Sequence, residues 1–120
     1  MTDQIVIYQS PDGTTLIDVR LEAETVWLTQ KQMSELFGKN VRTVNEHIRN
    51  IFKEGELAEN SVIRKFRITA SDRKTYETSH YNLDVIISVG YRVKSQRGTQ
   101  FQQWATKERI NSVRSTQFTS

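Results

Sequence analysis

Residues 29–53 read TQKQMSELFGKNVRTVNEHIRNIFK, a stretch that spells two helices and the turn between them. Thr29-Gln30-Lys31-Gln32 is a capping box, in which a Thr hydroxyl accepts from the N3 amide and the N3 Gln reaches back to the cap. Leu28 and Met33 flank it at the spacing of a hydrophobic staple. Met33, Leu36 and Phe37 continue as an i, i+3, i+4 stripe. Gly38 suits a left-handed C-cap, and Asn40 suits the N-cap of a second helix. That helix, from about Val41 to Lys53, carries Val41, Val44, Ile48, Ile51 and Phe52 on one face. Arg42, Thr43, Glu46, Arg49, Asn50 and Lys53 lie on the other.

Upstream, Gln4–Gln9 alternates Ile5 and Ile7 with Val6 and Tyr8 and reads as a strand. Ser10-Pro11-Asp12-Gly13 is a turn, because Pro presets φ and Gly accepts positive φ. Thr15–Leu21 returns with Ile17, Val19 and Leu21 on one side, and Val26-Trp27-Leu28 forms a third short strand. Downstream, Glu54-Gly55-Glu56 ends the second helix. Ser61 to Leu83 reads as a β-hairpin in which Phe66, Ile68 and Ala70 alternate with polar residues, with its turn at Ser71-Asp72-Arg73-Lys74. A buried third helix is expected from Asn82 or Asp84 to Val93, although a strand competes over Asp84–Val89 because short apolar runs carry no decisive period. Thr99-Gln100-Phe101-Gln102 repeats the capping-box pattern and opens a fourth helix with Phe101, Trp104 and Ala105 on one face.

These elements predict an α+β fold: a winged helix-turn-helix-like domain with an N-terminal β-hairpin and two further C-terminal helices. The domain is expected over residues 1–107. Residues 108–120 are expected as a polar C-terminal tail, poorly ordered or truncated.

Composition narrows the function. The chain has 120 residues, 36% of them hydrophobic and 26% charged, which is ordinary for one globular domain. It has no cysteine, which excludes disulfides, thiolate metal sites and a cysteine nucleophile and fits a reducing cytoplasm. Met1-Thr2-Asp3-Gln4 has no basic or apolar leader, and the run Val85-Ile86-Ile87 is far too short to span a membrane. A cytoplasmic protein without membrane contact is expected. The net charge of +3 hides an asymmetry: residues 1–35 carry −4 and residues 36–120 carry +7. Val85–Lys107 has no acid but contains Arg92, Lys94, Arg97 and Lys107. Such a one-sided field is the footprint of a polyanion binder.

The expected function is sequence-specific binding of double-stranded DNA, with the polar face of the second helix in the major groove. Arg42, Thr43 and Glu46, in its first two turns, are the candidates for base contact; Glu46 is also placed to pair with Arg42 or Arg49. Lys39, Asn40, Arg49, Asn50, Lys53, Arg73 and Lys74 are the candidates for phosphate contact. The hairpin adds Arg64, Lys65 and Arg67 to the basic field. Phe101, Trp104 and Ala105 offer a seam for a homodimer. His47 and His80 have no partners at metal-ligand spacing, and no nucleophile elbow, phosphate cradle or carboxylate pair is present. No enzyme activity, cofactor, metal or small-molecule substrate is therefore expected. The competing reading is a protein-interaction or adaptor module with no direct role at DNA.

Several runs resemble the RhuM virulence-protein family. They are Thr25–Gln30, Asn50–Leu57, Tyr81–Ser95, Arg97–Phe101 and Trp104–Thr106, and the resemblance as a whole covers about residues 5 to 107. The family is similar to the N-terminal domains of phage antirepressors. The resemblance implies a DNA-binding module, as a transcription regulator or antirepressor-like factor of bacterial or phage origin, and implies no catalytic site. After Thr106 this chain departs from it, since Lys107–Ser120 is rich in Ser, Thr and Arg where the family continues with an apolar helix.

Overall fold

The computed structural model describes residues 4–69 and 72–119, with side chains as far as Glu108. The elements run β1 (Gln4–Gln9), β2 (Leu16–Glu22), β3 (Thr25–Leu28), α1 (Gln30–Phe37), α2 (Val41–Lys53), α3 (Glu59–Val62), β4 (Ile63–Thr69), β5 (Thr75–Asn82), α4 (Leu83–Arg92) and α5 (Gln96–Thr119). The class is α+β, as expected. The strands differ from the expectation of an N-terminal hairpin and a separate wing: all five join one antiparallel sheet, ordered β1-β2-β3-β5-β4.

β3 makes that union, pairing with β2 on one side and with β5 on the other. Its seam with β5 is two pairs long, Trp27↔Asn82 and Leu28↔Tyr81. Helix caps limit it. Thr29 follows Leu28 and caps α1, while Asn82 ends β5 and caps α4 by accepting from the Val85 amide. At both points the chain turns out of the sheet and into a helix.

Register separates the two faces of the sheet, because residues paired across antiparallel strands share a face. Tyr8, Ile17, Val19, Leu21, Val26 and Leu28 face the helices and join Met33, Leu36, Val44, Ile48, Ile51, Val85, Ile86, Val89 and Phe101 in the main core. Ile5, Ile7 and Leu16 lie on the opposite face and are exposed, so the alternation read in β1 and β2 holds. Trp27 and Phe66 are also on that outer face, yet they are buried. Their rings meet at 5.9 Å, and the His80 ring stands 4.9 Å from Phe66. The Arg20 guanidinium lies 4.4 Å above Phe66 and that of Arg64 lies 5.1 Å from Trp27, so arginine stems and cations roof a second, small aromatic cluster.

The caps read for the first two helices form as expected. Thr29 Oγ1 accepts from the Gln32 amide at 3.1 Å, and Gln32 Oε1 accepts from the Thr29 amide at 3.0 Å. Gly38 ends α1 at φ 65°, and Asn40 Oδ1 accepts from the Thr43 amide at 2.8 Å. Val44, Ile48 and Ile51 anchor α2 in the core, but Val41 remains 42% exposed because it starts the helix at the turn, short of the core. The α3 turn was not expected; its four residues are too few to show a period, and only Val62 is buried.

In α4, Leu83, Val85, Ile86, Val89 and Gly90 are buried at helical spacing, which decides against a strand over Asp84–Val89. The next helix begins earlier than expected. Ser95 Oγ accepts from the Arg97 amide, and α5 starts at Gln96, so Thr99–Gln102 lies inside the helix and is no cap. A Cβ on Gly98 would come within 3.3 Å of Gly90 Cα, so the two helices cross backbone against backbone there. The α5 backbone stays helical to Thr119, through the segment expected as a tail. Phe101 and Ala105 are fully buried in the chain's own core, and Tyr8 packs edge-on against Phe101 and Trp104, each at 5.1 Å. Of the three residues read as a dimer seam, Phe101 and Ala105 are thus taken up within the chain, while Trp104 is half-buried. Ala70 and Ser71, expected in the hairpin and its turn, lie outside the described residues.

Two stability tests follow from this packing. Thr29→Ala removes the reciprocal cap and should cost about 1 kcal/mol in denaturant unfolding, without disturbing α2; an unchanged midpoint would show that the cap does not anchor α1. His80 is 3% exposed, and burial, aided by the charge of Arg20, holds its pKa below the ordinary histidine value against the bond from Nδ1 to the Thr78 carbonyl. The folded state thus keeps a neutral ring while the unfolded chain gains a proton near pH 6.5, so stability should decline as pH falls below about 6.5. Denaturant midpoints of wild type should drop between pH 8 and 5.5 more than those of His80→Gln; equal drops would overturn the assignment.

Candidate nucleic-acid interface

The α2 surface is set by where its apolar stripe is buried. Burying Val44, Ile48 and Ile51 contributes roughly 1.5–3 kcal/mol each, which fixes the helix's rotation and turns Arg42, Glu46, Arg49, Asn50 and Lys53 outward, all exposed. Glu46, Arg49, Asn50 and Lys53 line one shallow concavity. Arg42 Nε lies 3.7 Å from Glu46 Oε1, with the two side chains 89% and 62% exposed. An exposed i, i+4 pair of this kind contributes a few tenths of a kcal/mol, too little to hold Arg42 away from a stronger acceptor. Thr43 is half-buried, and its amide is taken by Asn40, whose side-chain oxygen is thereby engaged. Lys39 is exposed in the turn between the helices.

Arg73 and Lys74 stand apart from this group, in the β4–β5 turn. Arg73 adopts φ 67°, and Asp72 accepts from the Lys74 amide at 2.9 Å and from the Tyr76 hydroxyl at 2.7 Å. The Tyr76 bond foremost, then the Lys74 amide, holds the Asp72 carboxyl below the usual carboxylate range. The hairpin end therefore keeps one negative charge beside its two bases. Arg67 stands opposite Glu77 across β4 and β5.

The fold uses several of the bases that made the sequence look uniformly positive. Arg64 lies over Trp27 and 3.4 Å from Glu22. Arg92 donates to Glu54 at 2.7 Å and to Glu56 at 2.9 Å, while Ser88 Oγ donates to Glu56 at 2.6 Å. The Ser88 bond first, then Arg92, lowers the Glu56 pKa, and the two glutamates raise that of Arg92. This cluster ties the end of α2 to α4. Arg97 reaches the Leu36 carbonyl at 3.4 Å, near the negative end of α1. By contrast, among the described residues neither Arg49 nor Lys53 forms an ion pair.

One polar contact was not anticipated. Gln30 Nε2 donates to Asn45 Oδ1 at 3.1 Å and to the Tyr81 hydroxyl at 3.0 Å, joining α1, α2 and β5. Gln30 opens α1 and Asn45 lies in the second turn of α2, 15 residues on. Tyr81 lies 51 residues from Gln30 and no sequence period connects them. Among the described residues no group of His, Asp and Glu could hold a metal ion, and no helix is long and apolar enough to cross a membrane.

In comparison with known families, residues 61–119 match the Virulence protein RhuM family. This agrees with the family read from the sequence, over a different span. The match begins at β4 rather than near residue 5, and it continues beyond Thr106, where the sequence reading placed a departure. No curated protein and no solved structure matches the chain.

Proposed function

On the premise of the RhuM-family match over residues 61–119, we propose that the protein binds duplex DNA sequence-specifically, as a cytoplasmic transcription regulator or antirepressor-like factor acting without a cofactor. In this reading α1 and α2 form the helix-turn-helix and β4–β5 the wing. The observation that carries it is the contrast between bases engaged by the fold and bases left outward. Arg64, Arg92 and Arg97 are taken up in stacking, ion pairs and a helix end, whereas Lys39, Arg42, Arg49 and Lys53 crowd the exposed side of one rigidly docked helix and its turn. Arg42 and Glu46, with Thr43 beside them, approach base edges; Arg49, Asn50, Lys53, Lys39 and Asn40 meet the phosphates of one flank, and Arg73 and Lys74 those of the other. A protein-interaction module draws on a different surface, the exposed Ile5, Ile7 and Leu16 of the outer sheet face.

Titration of generic duplex at several salt concentrations tests the reading. Binding through roughly four to eight phosphates gives a fall in log K against log salt of about 0.9 per contact. A slope near zero, or no binding at about 50 mM salt, rejects DNA as the partner and leaves the outer sheet face as the surface to pursue. Arg42 and Arg49 then separate base contact from backbone contact. Arg42→Ala should cost about 1–3 kcal/mol against the preferred duplex and relax preference at one base pair. Arg49→Ala should weaken all duplexes alike and reduce the salt slope by about one unit. The reverse pattern would show that α2 enters the groove in another orientation.

A further inference from the structure

The Gln30 amide nitrogen has two hydrogens and uses both, one on Asn45 Oδ1 and one on the Tyr81 hydroxyl. In this arrangement Asn45 presents its oxygen to Gln30. Its Nδ2, with two donors, has no partner among the described residues, and its Oδ1 keeps a second lone pair. Asn45 lies three residues after Arg42 and four before Arg49, so the three side chains are neighbours on one strip of α2. A donor beside an acceptor on one planar amide complements adenine, which shows an N7 acceptor and an N6 donor in the major groove.

We propose that Asn45 reads an adenine in the major groove, and that Gln30 and Tyr81 are positioning residues that hold its amide in the reading orientation. The inference rests on the DNA reading above and adds to it a base identity and a residue outside the set first assigned. A purely structural role for the three-way contact makes a different prediction, because pinning α1, α2 and β5 together affects stability and leaves base preference alone.

The test uses the full chain. Selection from randomised duplexes identifies the preferred site, and titrations then compare that site with versions in which each A·T pair is replaced. Asn45→Asp keeps an oxygen for Gln30 and so keeps the pin, but it loses both donors, and a carboxylate accepts from cytosine N4 instead. The expected result is a loss of about five- to 150-fold adenine discrimination at one position, with preference there moving toward cytosine. Tyr81→Phe removes one hydroxyl and should reduce discrimination at that same position, with the salt slope unchanged. If Asn45→Asp melts early, Tyr81→Phe decides, and an unchanged base preference overturns the positioning role. If wild type discriminates and a folded Asn45→Asp retains its preference at every position, the inference fails while the DNA reading stands. If wild type binds no duplex, or binds all duplexes equally, the reading beneath it fails first.

Discussion

Two cross-strand pairs, Trp27↔Asn82 and Leu28↔Tyr81, hold the N-terminal three strands and the β4–β5 hairpin in one sheet. Each pair stands next to a helix start, so the same few residues set where α1 and α4 leave the sheet. Leu28 is fully buried, and Tyr81 is nearly so with its hydroxyl bonded to Gln30. The seam is short, and a two-pair ladder would be marginal alone; apolar burial on the inner face and the arginine-roofed Trp27–Phe66–His80 cluster on the outer face clamp it from both sides. The position of α2 follows from this. It docks on α1 and α4 through Val44, Ile48 and Ile51, and the Arg92–Glu54–Glu56 cluster fastens its far end.

The distribution of charge has the same origin. A basic sequence distributes its cations wherever folding puts them, and here the fold sorts them into two kinds. Cations close to aromatic rings or glutamates become part of the scaffold. Those on the far side of α2 remain outward: Arg42 meets only Glu46, in an exposed pair at 3.7 Å, and among the described residues Arg49 and Lys53 form no ion pair. The set of outward cations is thus smaller than the net charge suggests, and Lys39, Arg42, Arg49 and Lys53 of α2 and its preceding turn belong to it.

Local chemistry made much of this legible in the chain itself. The Thr29–Gln32 box, Gly38, Asn40 and the Val44–Ile48–Ile51 stripe each act within a few residues, so α1, the turn and α2 could be read with their boundaries. The alternation in β1 and β2 and the polar side of α2 follow from the same short periods. The β2–β3 turn was harder to see, because Ala23 and Glu24 adopt positive φ without the Gly or Asn that usually announces it.

What the sequence determined alone had local causes: the Thr29 and Asn40 caps, the apolar stripes, the strand alternation and the candidate residues of α2. Tertiary structure decided what depends on residues distant in the chain. It joined two hairpins into one sheet, because the pairing of β3 with β5 closes over more than fifty residues and no period reports it. It brought Gly98 of α5 against Gly90 of α4, a contact between helices that no local pattern announces. It packed Tyr8 against Phe101 and Trp104, since an amphipathic stripe says only that something covers it. And it linked Gln30 and Asn45 to Tyr81, because a hydrogen bond between side chains is set by where the backbones finally rest.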